Sequence, residues 1–395
     1  MKSKSSIPIV LLVYVVTLVL AAGSPAHAQS FGVIHNFAGT DGSGPLSGLA
    51  INSKELYGTA SGGGQYGGGV AFKSTLTGTL TVLHSFGNGT DGSSPEGSLI
   101  IGKGGYLYGT TFSGGTANSG TVFKLSSKGV ETVLYNFAGG ADGANPIAGL
   151  AIDKNENLYG TTSSGGAFNE GTVFEVSSTG VHTVLYSFGT GANDGSDPVA
   201  GVTFDTAGNL YGTTATGGAY GNGSVFELSP SSPAWTETIL YSFEMQDDGG
   251  TPYAGLIFDH AGNLYGAATD GGAGGSNGGG TVFELTPSGD NWNFQVLYGL
   301  TGWGISGTFR DLLYDAHNDT IYATTHCDGS NDAGTVYELV RSGETWSYTQ
   351  LYTFTGGTDG LYSFSNLVID TNGNLYGTTN QGGANQLGVI FKVTP

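Results

Sequence analysis

The residues best placed to do chemistry in this sequence are aspartates that recur in one local setting. Asp41, Asp91, Asp142, Asp194 and Asp248 are each followed by glycine and, four residues after the aspartate, by proline. Asp359 keeps the glycine but has Ser363 in place of the proline. Carboxylate oxygens on glycine-rich loops suit Ca2+, a hard cation that takes several oxygen ligands. These six aspartates are therefore the candidate metal ligands, and Ca2+ the cofactor they would suit. The spacing is not that of an EF-hand loop, and one carboxylate per loop needs converging carbonyls to hold an ion. Asp-Gly is equally a turn signal, and proline suits the start of a strand, so a purely structural role stands beside the metal role. A second set, Asp153, Asp205, Asp259, Asp315 and Asp370, either gathers a cation around a channel or caps the tight turns that follow it.

Other chemistry is sparse. His326-Cys327-Asp328 places the single cysteine of the chain beside a histidine, but no second cysteine accompanies it to suggest a metal or redox site. His-Glu-x-x-His and P-loop patterns are absent from the sequence. Two aromatic residues depart from the repeat described below: Trp303, in the irregular run 301–310, and Phe168. They could stack on sugar faces, and with Glu170 they form the candidate ligand-binding set. Glu96, Glu170 and Glu244 also interrupt the repeat. A glycan hydrolase needs two carboxyl groups converging on one bond, and the sequence brings no two of these together, so catalytic residues stay unassigned.

These residues hang on a strong internal repeat. Leu56-Tyr57-Gly58-Thr59 returns around Tyr108, Tyr159, Tyr211, Tyr265, Tyr322 and Tyr376, at spacings of 51, 51, 52, 54, 57 and 54 residues. Each period holds four short apolar segments rich in β-branched and aromatic residues, separated by Gly, Asn, Asp, Ser and Pro; in the third copy they are 149–153, 158–162, 172–176 and 183–188. That is a strand signature, and four strands per period of this length describe a propeller blade. The last copy lacks its fourth segment, while Val33-Ile34-His35-Asn36-Phe37, before the first copy, resembles Val82-Leu83-His84-Ser85-Phe86. The expected fold is all-β: a seven-bladed propeller of four-stranded antiparallel blades, the last closed by the N-terminal strand. Tyr159 and Phe174 are expected to pack between blades, and Gly160 to allow close approach of neighbouring sheets. Copies four to six lengthen the last hairpin and add Trp235, Trp292 and Trp346, as covers for the hairpin or as sugar platforms. The loops that carry the Asp-Gly pairs share one face of the ring with the Gly-Gly loops, which makes that face the default binding surface.

The unit Asn157-Leu158-Tyr159-Gly160-Thr161-Thr162, then Gly165-Gly166, then Gly171-Thr172-Val173-Phe174 resembles the GloVer tandem repeat of secreted bacterial choice-of-anchor proteins. The resemblance implies an exported repeat protein and carries no catalytic residues with it.

The N-terminus agrees with export. Lys2 and Lys4, the apolar run 7–22 and Ala26-His27-Ala28 have the layout of a signal peptide cut after Ala28. Residues 29–395 are then a single domain, with no membrane insertion after cleavage. With 31 acidic and 11 basic residues and a net charge of -20, the surface repels nucleic acid. One cysteine allows no intrachain disulfide, and the length permits a core that needs none. The expectation is a monomeric, non-catalytic extracellular binding or surface-scaffold protein whose partner is an extracellular polymer or protein, a glycan among the candidates. The alternative is a hydrolase or lyase acting on glycans.

Overall fold

The computed structural model describes residues 29–231, 234–272, 278–289, 291–302 and 307–395. The leader expected over 1–28 and Trp303 lie outside the described residues. The chain is a seven-bladed propeller of four-stranded antiparallel sheets. Among the described residues, two single 3-10 turns, Lys103–Gly105 and Gly140–Asp142, interrupt the β-structure. Among the described residues no helix is long and apolar enough to cross a membrane.

Blade three shows how the repeat folds. Its strands run Ala151–Ile152, Leu158–Thr162, Thr172–Val176 and His182–Ser187, in that order across the sheet. Every residue of Leu158–Thr162 is buried, because a blade is covered by a neighbour on each face and its strands need apolar or satisfied side chains on both sides. Tyr159 joins a core cluster with Val202, Leu210 and Phe226 of blade four, and Phe174 one with Tyr108 and Phe137 of blade two. Packing between blades is thus as expected for these rings.

Gly160 is different from the expectation. A Cβ there would lie 2.8 Å from Leu150 Cδ2 and 2.8 Å from Phe174 Cζ. The missing side chain makes room for two residues of its own blade, and does not serve the approach of a neighbouring sheet. The first strand is also shorter than expected, because Gly149 lies against the adjacent blade: a Cβ there would stand 3.1 Å from Ser98 O.

Ring closure follows the sequence. Ser30–Asn36 pairs with Val389–Thr394 and completes the sheet of Val368–Ile369 and Leu375–Thr379. Phe31 stacks on Tyr352 of blade six at 3.7 Å between ring centroids. A second set of bonds ties the inner strands. Thr59, Thr110, Thr161, Thr213, Thr324 and Thr378 each donate a hydroxyl to a backbone carbonyl of the next blade: Gly97, Ala148, Ala200, Ala254, Ser365 and Ser47. The last of these bonds, 2.9 Å long, joins blade seven back to blade one. The blade-five equivalent of these threonines is Ala267, so the joint between blades five and six lacks the bond.

The three tryptophans of the long hairpins lean on the preceding blade. Trp292 meets Tyr211 edge-on at 6.0 Å, and Trp346 meets Tyr265 at 5.8 Å. Trp235 packs on the cluster that contains Tyr159. Their rings cover the blade joint.

Candidate functional site

Each Asp-Gly carboxylate is engaged by the loop it opens. Asp41 accepts the Ala38 N–H at 2.7 Å, Asp91 the Gly87 N–H at 3.1 Å, and Asp142 the Ala138 N–H at 2.7 Å. Asp194 accepts from Thr190 N–H at 2.7 Å, Asp248 from Glu244 N–H at 2.7 Å, and Asp359 from Thr355 N–H at 2.8 Å. Each also meets a ring of the preceding outer strand. Tyr135, Tyr186, Tyr241 and Tyr352 donate hydroxyls to Asp142, Asp194, Asp248 and Asp359, while His35 Nε2 and His84 Nε2 stand 2.9 and 3.0 Å from Asp41 and Asp91. Burial and the neighbouring carboxylate push the Tyr135, Tyr241 and Tyr352 phenols up, so they remain donors. The six aspartates are thereby set one per loop around the ring, and the geometry supports turn capping. Among the described residues no three or more His, Cys, Asp or Glu gather as a metal-holding group. The ring six to eight residues before each aspartate is a signal that sequence reasoning passed over.

On the opposite face, Asp153, Asp205, Asp259 and Asp370 cap their turns in the same manner. Asp370 Oδ1 accepts the N–H groups of Asn372 and Asn374 at 2.8 and 3.0 Å, while Oδ2 takes the Asn374 amide and the Tyr376 hydroxyl. Cys327 sits 2.7 Å from His326 Nδ1, and burial and then Asp332 push its thiol up to about 11. The thiol is held protonated at neutral pH, which removes its nucleophilic form.

The loop face carries two kinds of concavity. Phe168, Glu170, Asp194 and Ser196 line a groove of about 320 Å³ in blade three. Phe168 is 53% exposed. Gly189 makes the groove possible: its φ is +94°, and a Cβ there would lie 2.8 Å from Glu170 Cγ and 2.9 Å from Phe168 Cβ. Three of the sequence candidates are thus brought together. Blade one repeats the plan with Gln65, Tyr66, His84, Asn88 and Asp91 around a groove of about 320 Å³. Tyr66 is 47% exposed, and Tyr220, at the same loop position in blade four, is 59% exposed. The neighbouring Glu244 pushes the Tyr220 phenol up.

The second concavity is at the channel mouth. Its lining differs from the polar Gly-rich loops of the loop grooves. The residue after each loop proline faces the axis, giving Leu46, Glu96, Ile147, Val199 and Tyr253, with Phe309 and Phe364 in blades six and seven. They enclose about 320 Å³ together with Arg310. Seven inward positions converge on the axis, so single side chains and not loops form its wall. Phe309 lies 5.3 Å from Tyr253 and 5.2 Å from Phe364, ring to ring, making an aromatic half. Leu46, Ile147 and Val199 make an aliphatic one.

Arg310 is the departure. The same position in the other blades holds Ser47, Gly97, Ala148, Ala200, Ala254 and Ser365. Its Nε donates to Leu46 O of blade one at 3.2 Å, so the side chain passes blade seven and lies across the channel. Asp311 accepts the Gly255 N–H at 2.7 Å. Burial pulls the Arg310 guanidinium down, opposed by the charges of Asp311 and Glu96. Burial pushes the Glu96 carboxyl up, opposed by Arg310. One arginine in a column of small residues was legible in the sequence; its place in a cavity was not. Of the three irregular glutamates, Glu96 faces the axis, Glu170 the blade-three groove and Glu244 the blade-four loop.

Comparison with known proteins places the chain. The Gloeobacter/Verrucomicrobia repeat matches it three times, over residues 24–205, 128–312 and 201–395. The chain belongs to that repeat family. No curated protein matches it in sequence. Solved propellers resemble it in fold alone. A candidate 6-phosphogluconolactonase from Bacteroides uniformis has a TM-score of 0.53 at 16% identity, over 82% of this chain and 89% of that one. PorZ, a surface component of the type-IX secretion system of Porphyromonas gingivalis, has a TM-score of 0.54 at 15% identity, over 91% of this chain and 48% of that one. An ulvan lyase, a polysaccharide lyase, has a TM-score of 0.53 at 10% identity, over 90% of this chain and 94% of that one.

Proposed function

We propose that the protein is an extracellular binding protein that holds a glycan on its loop face without cleaving it. One observation carries the reading: in blades one and three an exposed aromatic ring at the same repeat position borders a polar groove together with the Asp-Gly aspartate of the following loop. A ring left about half in water forgoes the stabilisation of burial, and Tyr66, Phe168 and Tyr220 forgo it at one equivalent site. A flat apolar face beside carboxylate and amide acceptors suits a sugar ring. Equivalent weak sites at fixed spacing suit a polymer with a repeating unit, because linked sites gain avidity without new contacts. Location outside the cell rests on the leader-like residues 1–28, and the acidic surface leaves a neutral glycan unrepelled.

A glycan array probed with residues 29–395, with product analysis of each hit, tests this. Binding of a polymer that is recovered intact is expected. Phe168→Ala and Tyr66→Ala should each weaken it by roughly 0.5–1.5 kcal/mol, the worth of an aromatic contact. Silence across the array overturns the glycan reading. Shortened product overturns the non-catalytic one and points to a hydrolase or lyase.

A further inference from the structure

The cavity at the channel mouth differs in chemistry from the loop grooves and stands independently of the glycan reading. Its walls are apolar on both sides, which suits a flat apolar body better than a hydroxyl-rich sugar. Its volume of about 320 Å³ is at the lower end of small-molecule sites, enough for one compact ligand. Leu46, Glu96, Ile147, Tyr253, Phe309 and Phe364 each keep partial exposure, so the space opens to solvent.

The fold itself has no need of Arg310, since six other blades close with a small residue at that position. Bringing a guanidinium into an apolar setting carries a desolvation cost. Among the described residues its side chain gives one hydrogen bond, Nε to Leu46 O. That bond fixes the plane of a group with five N–H donors and leaves donors for a carboxylate, the partner its forked geometry fits. Glu96, in blade two, faces the same space and offers an acceptor; its charge and that of the guanidinium act on each other.

We propose that the channel mouth binds a small aromatic carboxylate, its carboxylate on Arg310, its ring against Tyr253, Phe309 and Phe364, and a ring hydroxyl donated to Glu96. His326 backs the aromatic wall, 5.2 Å from Phe309 and 4.3 Å from Phe364, so the rings are held in place before a ligand arrives.

Three probes test this on the intact protein by calorimetry. 3-(4-hydroxyphenyl)propionate carries both end groups, 3-phenylpropionate lacks the hydroxyl, and 4-(2-aminoethyl)phenol replaces the carboxylate with an ammonium. The expected order is the first probe tightest, the second weaker, and the amine weaker than the first by at least about tenfold. Arg310→Met should abolish binding of both acids in a protein whose melting temperature shows it folded. Glu96→Gln, a change of charge alone, should narrow the difference between the two acids. No heat with either acid, or the amine binding as well as the first probe, overturns the proposal with no variant needed. Full binding by folded Arg310→Met overturns the arginine contact, and an unchanged difference between the acids in Glu96→Gln overturns the glutamate contact. Glycan binding is read separately, so failure here leaves the groove reading standing, and the reverse.

Discussion

Six joints of the ring are built alike, and the joint between blades five and six is not. At the regular joints a buried threonine donates to the next blade's carbonyl. Just outside each, an Asp-Gly loop is capped by the ring of the preceding outer strand. At the irregular joint the threonine is Ala267, the loop after Tyr298 has no Asp-Gly, and Arg310 replaces a small residue. Blade six adjusts in step: Tyr337 stands where other blades have phenylalanine, and its buried hydroxyl pairs with Thr308, at 2.8 Å, where five blades have proline. The regular joints show what the fold requires. The irregular one shows where those requirements were relaxed, and it is the one that delivers an arginine into the channel mouth.

Removing the closing strand breaks the comparison most severely. Deletion of residues 31–37 strips the outer strand of blade seven, the stack of Phe31 on Tyr352 and the fully buried Phe37. Each fully buried apolar side chain is worth roughly 1.5–3 kcal/mol, and the exposed strand edge adds a route to aggregation. The shortened protein should lose its cooperative melting transition, whereas deletion of an equally long surface loop should not; equal melting temperatures would show that the ring does not depend on closure.

A smaller change separates the two kinds of joint directly. Thr161→Val leaves the buried carbonyl of Ala200 without its donor, at a cost of about 1–3 kcal/mol, and Thr213→Val should cost a similar amount. Arg310→Met at the irregular joint should leave the melting temperature unchanged or raise it, because exchanging a buried charge for an apolar chain of like volume is often neutral or stabilising. Denaturant melts of the three variants decide this. Equal losses in all three would make Arg310 a structural residue like the threonines and remove the reason to give it a ligand.

The blades and their closure were legible in the sequence, and the bonds of the joints and the channel mouth were not, for a physical reason. Strand pattern, blade count and closure depend on residue types that recur, and seven copies average away local noise; the match of residues 33–37 to 82–86 alone placed the closing strand. The mouth is formed by one residue per blade, and Leu46, Glu96, Ile147, Val199, Tyr253, Phe309 and Phe364 share no type, so no recurring signal marks them. Their only mark is position, one residue beyond the loop proline or the residue that replaces it. Phe168 and Glu170 were singled out as breaks in the pattern, although Phe168 shares its loop position with Tyr66 and Tyr220, and their joining with Asp194 required knowledge of how two loops of one blade fold together.

The smallest expected effect concerns the outer wall, where joints of both kinds vary. At four joints the outer strand stacks a ring on its neighbour: His182 on Tyr135 at 4.2 Å, Phe294 on Tyr241 at 3.8 Å, Tyr348 on Tyr298 at 4.5 Å, and Phe31 on Tyr352 at 3.7 Å. In blade four the equivalent residue is Glu237. The Tyr186 hydroxyl lies 3.1 Å from both Glu237 and Asp194, and each acid keeps a buried oxygen without a protein partner. Burial first, then Asp194, push the Glu237 carboxyl up to about 8, so the folded state holds a proton that the unfolded chain releases near 4.5. The sign follows from proton linkage: a folded state that binds more protons loses stability as pH rises. The contribution of Glu237 is full below about 4.5, declines from there to about 8 and is flat above. Partial exposure at the wall screens the effect, which puts it below the joint variants in size. Glu237→Gln keeps the shape and cannot ionise. Its melting temperature should match the parent at pH 4 and exceed it at pH 9; parallel curves across that range would show that the pair does not share a proton.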